Sequence, residues 1–238
     1  MNYEKRLHEA VSHFWNVRGR QNTRQGSATG QRDAGHRAAV TGGRQLDGFI
    51  ELLKDIAIDC GMTSAQVYTK DTILPGFYRP TKDWDLIVIN DKKLVAVVEF
   101  KSHVGPSFGN NFNNRVEEAI GSSIDILAAY REGAFSPSLK PWLGWLMLVE
   151  DVEKSNSVVS VREPHYTVFP EFKGASYAKR YELFCTKLLR DQLYDGACLI
   201  LTKENETDGI NLREPNIEIN FSTFISSYKA KVLAHVLR

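Results

Sequence analysis

Glu99 and Lys101 stand two residues apart at the end of an apolar run, Leu94 to Phe100 (LVAVVEF), and Asp85 heads a second such run, DLIVI. Residues two apart on a strand leave the same face, so a carboxylate and an ammonium share the rim of a core strand. Charges placed there need partners, and a metal ion with a bound anion is one way to supply them. Hydrolysis of a phosphodiester requires charge stabilisation on the phosphate, an attacking water and a stabilised leaving oxygen, all of which Mg2+ held by oxygen ligands assists. The pattern casts Asp85 and Glu99 as metal ligands, joined by the backbone carbonyl of Phe100, with Lys101 orienting the water and favouring its deprotonation. An acid two residues before a lysine arises by composition roughly once in every one or two chains of this length. The weight comes from the strand context, and a rim salt bridge is the plain alternative.

Two further acids compete for the same role. Asp83 would share the face of Asp85 in an extended chain; Asp85 is preferred because the apolar strand follows it immediately. Glu51, one turn after Asp47 on the polar side of a helix, is a third candidate ligand, with a solvated helix face as the alternative. Register supplies a test. If the two strands form a hairpin, a three-residue connection, Asp91 to Lys93, sets Asp85 opposite Glu99 on one face. A connection of two or four residues sets them on opposite faces, so the functional reading needs an odd loop, or a bulge or bend beside Asp85.

The elements that position these residues follow from periodicity. Tyr3, Leu7, Ala10, Val11, Phe14 and Trp15 predict an opening amphipathic helix, ended by a glycine and arginine segment. Leu46, Phe49, Ile50, Leu53, Ile56, Ala57 and Cys60 predict a second helix from Gln45, stopped by Gly61. Strands are predicted near Gln66 to Thr69, at Asp85 to Ile89 and at Leu94 to Phe100. A helix through Val116, Ala119, Ile120, Ile124 and Leu127 follows, with Asn114 and Glu117 as a capping box, then a strand at Trp142 to Val149. Beyond these come an extended stretch at Tyr166 to Phe169, a helix from Tyr177 to Leu189, a strand at Ala197 to Thr202 and a closing helix from Phe221 to Leu237. The expectation is an α/β protein of order αβββαβ from Gln45 to Val149, its mixed sheet flanked by helices.

The chain has 238 residues, 42% hydrophobic and 25% charged, which suits one domain with a sizeable core. The start carries no secretory or membrane pattern, so a cytoplasmic protein is expected. Cys60, Cys185 and Cys198 lie apart in apolar segments and read as buried thiols. The widely scattered His13, His36, His103, His165 and His235 form no spaced metal cluster, and the absence of a Gly-rich phosphate loop argues against ATP-driven action. A net charge of +1 does not announce a nucleic-acid partner, but its distribution says more. Between Arg18 and Arg44 stand six arginines, one acid and six glycines, a cationic arm suited to phosphate or minor-groove contact, with Arg37 and Arg44 as candidates. The stretch Gly105 to Asn114 reads as a loop beside the cut. Its Asn110, Asn111, Asn113 and Asn114, with Arg115, are candidate DNA contacts, since asparagine pairs bidentately with adenine and arginine reads guanine or holds phosphate; a polar turn with a helix cap is the alternative. His103 is close enough to Lys101 to touch DNA, though a lone histidine in a polar loop is more often incidental.

At LDGF (Leu46 to Phe49), RPTKDWDLIV (Arg79 to Val88), EFKSHVGPSFGNNFNNR (Glu99 to Arg115) and RAAVTGG (Arg37 to Gly43) the chain resembles the PD-(D/E)xK nucleases, and more narrowly the XhoI family of type II restriction endonucleases. The resemblance implies a homodimeric, site-specific deoxyribonuclease using one or two Mg2+ ions per active site, cutting double-stranded DNA within a short palindrome, CTCGAG, to leave a 5′ overhang. By the family pattern Asp85, Glu99 and Lys101 match the acid and the ExK element. Pro80 stands further ahead of the acid than an adjacent PD requires, which leaves Asp83 and Asp85 both open. Two other readings stand beside this one: a repair or structure-selective nuclease of the same superfamily, and a DNA-binding protein of this fold that cleaves nothing.

Overall fold

The apolar spacing of the first fifteen residues closes into helix α1 (Tyr3–Ala28), which buries Leu7, Val11, Phe14 and Trp15. The computed structural model describes residues 2–28, 44–205 and 209–237. The helix continues through Arg18 to Ala28, although its glycines predict an earlier end. Each glycine costs a helix only about 1 kcal/mol, and the packed first turns carry the rest. A 3-10 turn (Arg44–Leu46) leads into α2 (Asp47–Asp59), which stops before Gly61 at a φ of +104°, a conformation glycine adopts without strain.

Among the described residues the main sheet has six strands, β1 (Val67–Tyr68), β4 (Leu86–Asn90), β5 (Lys93–His103), β6 (Trp142–Glu150), β7 (Gly196–Asn205) and β8 (Gly209–Arg213), side by side in that order. Pairing is parallel for β5 with β6 and β6 with β7, and antiparallel elsewhere. The parallel strands are buried on both sides, which is why WLGWLMLV reads as an unbroken apolar run. A separate hairpin of β2 (Ile73–Pro75) and β3 (Thr81–Asp83) interrupts the order between β1 and β4. With that insertion set aside, α2, β1, β4, β5, the helix α3 (Phe108–Arg131) and β6 follow the expected αβββαβ order. The short helix α4 (Glu153–Asn156), then α5 (Tyr177–Arg190) and α6 (Phe221–Val236) complete the chain.

Helices α1, α2 and α6 cover one face of the sheet through Phe14, Phe49, Leu53, Phe224 and Tyr228, which meet Leu86, Val98, Phe100, Leu146 and Ile200. Helices α3 and α5 cover the other through Phe108, Phe112, Tyr181 and Leu188, which meet Ile87, Val97, Trp145, Met147 and Leu199.

One expectation is corrected. Asn110 to Arg115 lie inside α3, which starts at Phe108 after Ser107 rather than at Asn114. The reason is packing: Phe108 and Phe112, four apart, are buried against Tyr177 and Tyr181, and this overrides the weak helix preference of glycine and asparagine. The extended stretch expected at Tyr166 to Phe169 joins neither sheet, and both aromatics are exposed. The β2–β3 hairpin and β8 went unread, each being too short for a clear period.

Hairpin β4–β5 decides the register. Its connection is two residues, Asp91 and Lys92, both at positive φ (49° and 60°), as the favoured two-residue turn requires. Taken alone, that length would separate Asp85 from Glu99. The pairing steps from Ile89 with Leu94 to Val88 with Ala96, so Val95 is an extra residue, a bulge. From there Ile87 faces Val97 and Leu86 faces Val98, and continuing that register sets Asp85 opposite Glu99.

Candidate active site

Glu99 is buried in the middle of β5, only 4% exposed, on the side of α3 and α5, where buried Tyr194 feels its charge. Lys101 contacts one oxygen, Oε1. Lys82, from β3, donates to the other, Oε2, at 2.7 Å. Asp85, just ahead of β4, accepts the Phe100 amide at 2.7 Å. Burial, then the nearby Glu99 charge, push the Asp85 carboxyl up to about 6, against the pull of Lys101, the Phe100 amide and Lys82. The two carboxylates and Lys101 thus converge.

Asp83 is exposed on β3 and accepts from Thr72 Oγ1 at 2.7 Å, on the hairpin rather than toward Glu99. Glu51 is exposed on α2, whose buried face packs against the opposite side of the sheet, and pairs with Lys54 at 3.8 Å; it is not brought to Asp85 and Glu99. Among the described residues no group of three or more His, Cys, Asp or Glu converges to hold a metal ion. Two carboxylates with a backbone carbonyl, water and phosphate oxygens still suit Mg2+, which keeps several waters and takes one or two carboxylates. The Asp85 carboxyl, lifted first by burial and then by the charge of Glu99, would be held ionised by a cation beside it, so the donor set fits a hard ion.

Lys82 is a neighbour of the candidate site that sequence reasoning missed. Its ammonium also lies 4.4 Å from the centre of the Trp84 ring and donates to the Asp83 carbonyl at 3.0 Å. The hairpin that carries it is fastened to α3 by Asp125. That buried carboxylate accepts the Phe77 and Tyr78 amides at 2.8 and 2.7 Å and Arg79 Nε at 2.7 Å. Burial raises the Asp125 carboxyl, but these hydrogen bonds outweigh it and hold it below its ordinary value. Gly76 permits the grip: a Cβ there would lie 2.3 Å from Asp125 Oδ2.

Of the candidate DNA contacts, Asn110, Asn113 and Asn114 are exposed on the first turns of α3, while Asn111 is half-buried. Arg115 is half-buried and pairs with Glu118. Arg44 is exposed, its carbonyl 3.1 Å from His13 Nε2; Arg37 lies outside the described residues.

His103 continues the face of Glu99 and Lys101 but is buried, with Nδ1 2.7 Å from the Tyr181 hydroxyl. Burial pulls its pKa down to about 4, with the positive charge of Arg115 adding to the effect, so it is a neutral core residue at physiological pH. As pH falls from 6.5 toward 4 the unfolded chain takes up a proton that the folded state refuses, and stability drops. His103→Gln should flatten this limb by on the order of 2 kcal/mol, allowing for partial screening. Urea unfolding in EDTA at pH 7.5 and 4.5 measures it; an unchanged difference between the two pH values refutes the assignment.

Residues 25–212 match the family described as restriction endonuclease XhoI. The type II restriction enzyme BstVI of Geobacillus stearothermophilus is 49% identical over 212 residues, 86% of this chain and 92% of that protein. The type II restriction enzyme XhoI of Xanthomonas vasicola is 43% identical over 237 residues, 98% of this chain and 90% of that protein. The type II restriction enzyme AbrI of Azospirillum brasilense is 48% identical over 166 residues, 69% and 74% of the two chains. No solved structure is significantly similar to the chain. With a family match over most of its length and relatives at this identity, the chain belongs to the XhoI family of restriction endonucleases.

Proposed function

We propose that this protein is a type II restriction endonuclease with a PD-(D/E)xK active site, hydrolysing double-stranded DNA with one or two Mg2+ ions within the palindrome CTCGAG and leaving a 5′ overhang. The observation that carries the reading is the meeting of Asp85, Glu99 and Lys101 on one sheet face in a chain whose relatives are type II restriction enzymes. Mg2+, when bound, supplies Lewis acidity at the phosphate and a more acidic water. Asp85 and Glu99 hold it, with the Phe100 carbonyl as a further ligand. Lys101 orients the attacking water and favours loss of its proton. A second copy of the chain acts on the other strand, since a palindrome matches a two-fold dimer.

Arg37 and Arg44 are assigned to sequence-independent phosphate contact. The exposed edge of α3, Asn110, Asn113 and Asn114, is assigned to base contact, with Asn111 and Arg115 beside it; on a helix these residues suit the major groove better than a loop would. Among the described residues no helix is long and apolar enough to cross a membrane, in keeping with a cytoplasmic enzyme.

Digestion of a sequenced plasmid, with Mg2+ and with EDTA, and mapping of both cut ends test the proposal. Discrete cuts at CTCGAG with 5′ overhangs are expected in Mg2+ alone. Discrete cuts at another palindrome overturn the site, scattered or structure-dependent cuts favour a repair nuclease, and binding without cutting favours a non-cleaving DNA-binding protein.

A further inference from the structure

Glu99 carries two ammonium groups where one would satisfy a buried carboxylate: Lys101 on Oε1 and Lys82 on Oε2. Lys101 belongs to the expected motif. Lys82 arrives from a different element, the β2–β3 hairpin, which is inserted into the strand order and gripped by Asp125. Its side chain is only 13% exposed and lies against Trp84. A buried cation of this kind is held there at a desolvation cost, and folding alone does not require it, because Lys101 already pairs Glu99.

Charge arithmetic gives the second ammonium a role. Asp85 and Glu99 against Lys82 and Lys101 make two negative and two positive charges, so the site is balanced without metal. A divalent ion bound to Glu99 would sit about 2.1 Å from a carboxylate oxygen, within about 4 to 5 Å of the position Lys82 now holds, and would repel it. The backbone of Lys82 is fixed by its pairing with Leu74, so only the side chain can leave. Asp83 is already engaged with Thr72. The anion that arrives with a metal-bound substrate is a phosphate.

We propose that Lys82 is a second active-site lysine, which occupies the metal-binding oxygen of Glu99 in the metal-free protein and transfers to a phosphate oxygen of the DNA once a divalent ion displaces it. This rests on the nuclease reading above and goes beyond it: Lys82 makes metal binding costly without DNA and productive with it. An ill-placed ion on the free enzyme is disfavoured, and the freed ammonium stabilises charge on the phosphate.

The test compares the parent with Lys82→Met, which keeps the stem over Trp84, and with Lys82→Arg and Lys82→Gln, all first checked by thermal unfolding. Calorimetry with Ca2+ and no DNA reads the first half: Lys82→Met and Lys82→Gln should bind Ca2+ about tenfold more tightly than the parent, because a competing cation is gone. Single-turnover cleavage of a duplex carrying the mapped site, at saturating Mg2+, reads the second: Lys82→Met should cut about 100-fold more slowly, and Lys82→Arg should recover part of the loss. Unchanged Ca2+ affinity in Lys82→Met and Lys82→Gln overturns the proposal, and so does cleavage by Lys82→Met at the parent rate. If the parent cuts no DNA with any divalent ion, the nuclease reading has failed instead, and the Ca2+ comparison still decides whether Lys82 competes for the metal site.

Discussion

Asp85→Asn is expected to abolish Mg2+-dependent cleavage and, in the metal-free protein, to raise stability by about 2 kcal/mol. Both effects follow from one environment. Burial and the nearby Glu99 lift the Asp85 carboxyl to about 6, so holding it ionised at pH 7.5 costs the fold free energy that a neutral amide does not. The asparagine keeps an oxygen for the Phe100 amide, and little packing changes. Without the carboxylate, though, a metal ligand is lost, and cleavage should fall by at least about 10³-fold, the scale of losing a central electrostatic group. Asp83→Asn is the control. Asp83 is exposed and bonded to Thr72, so its replacement should leave the cleavage rate within a few fold of the parent. Urea unfolding in EDTA and single-turnover cleavage of the two variants measure this. Loss of activity in Asp83→Asn alone would reverse the assignment, and destabilisation by Asp85→Asn would refute its energetic basis.

Lys101→Ala should reduce cleavage by about 10³- to 10⁴-fold with a change in stability within about 1 kcal/mol. The disparity arises because Glu99 keeps a partner: with Lys101 gone, Lys82 still donates to Oε2 at 2.7 Å, so no buried carboxylate is orphaned. Lys101 is half-buried at the rim of the sheet, and its removal leaves a gap that water can fill. The rate loss should appear in kcat with little change in duplex affinity measured in Ca2+, as the proposed action on the water rather than on binding requires. A fall in affinity of equal size would identify Lys101 as a phosphate contact instead.

The meeting of Asp85, Glu99 and Lys101, the residues proposed to carry the chemistry, was legible because two kinds of signal coincide on them. Glu99 and Lys101 are charges at a period of two on an otherwise apolar strand, and Asp85 precedes a second such strand. Lys82 carries no comparable mark: it lies on a three-residue strand, and its contact with Glu99 depends on a hairpin folding back over β5. Asp125 was hidden for a related reason. Periodicity placed Ile124 inward, but α3 turns its Ser122 and Asp125 face to the hairpin, leaving Ile124 40% exposed. The asparagine run misled through propensity, which a buried pair, Phe108 and Phe112, overrides. Register was the closest case. The requirement for an odd loop or a bulge was readable, and the protein meets it with a bulge at Val95, some distance along the strand from Asp85, where no local feature announces it.

That bulge also constrains how the hairpin can change length over generations. Val95 is one residue of slack: deleting it leaves Leu94 facing Ile89, Ala96 facing Val88 and Asp85 opposite Glu99. Loss of a neighbouring residue, up to Val98, can be taken up in the same way by flattening the bulge. A single gain there has no such reserve, since it would set Val98 opposite Asp85 and turn Glu99 and Lys101 into the apolar layer beneath α2. Descendants of this chain should therefore tolerate a one-residue shortening of this strand more readily than a one-residue lengthening.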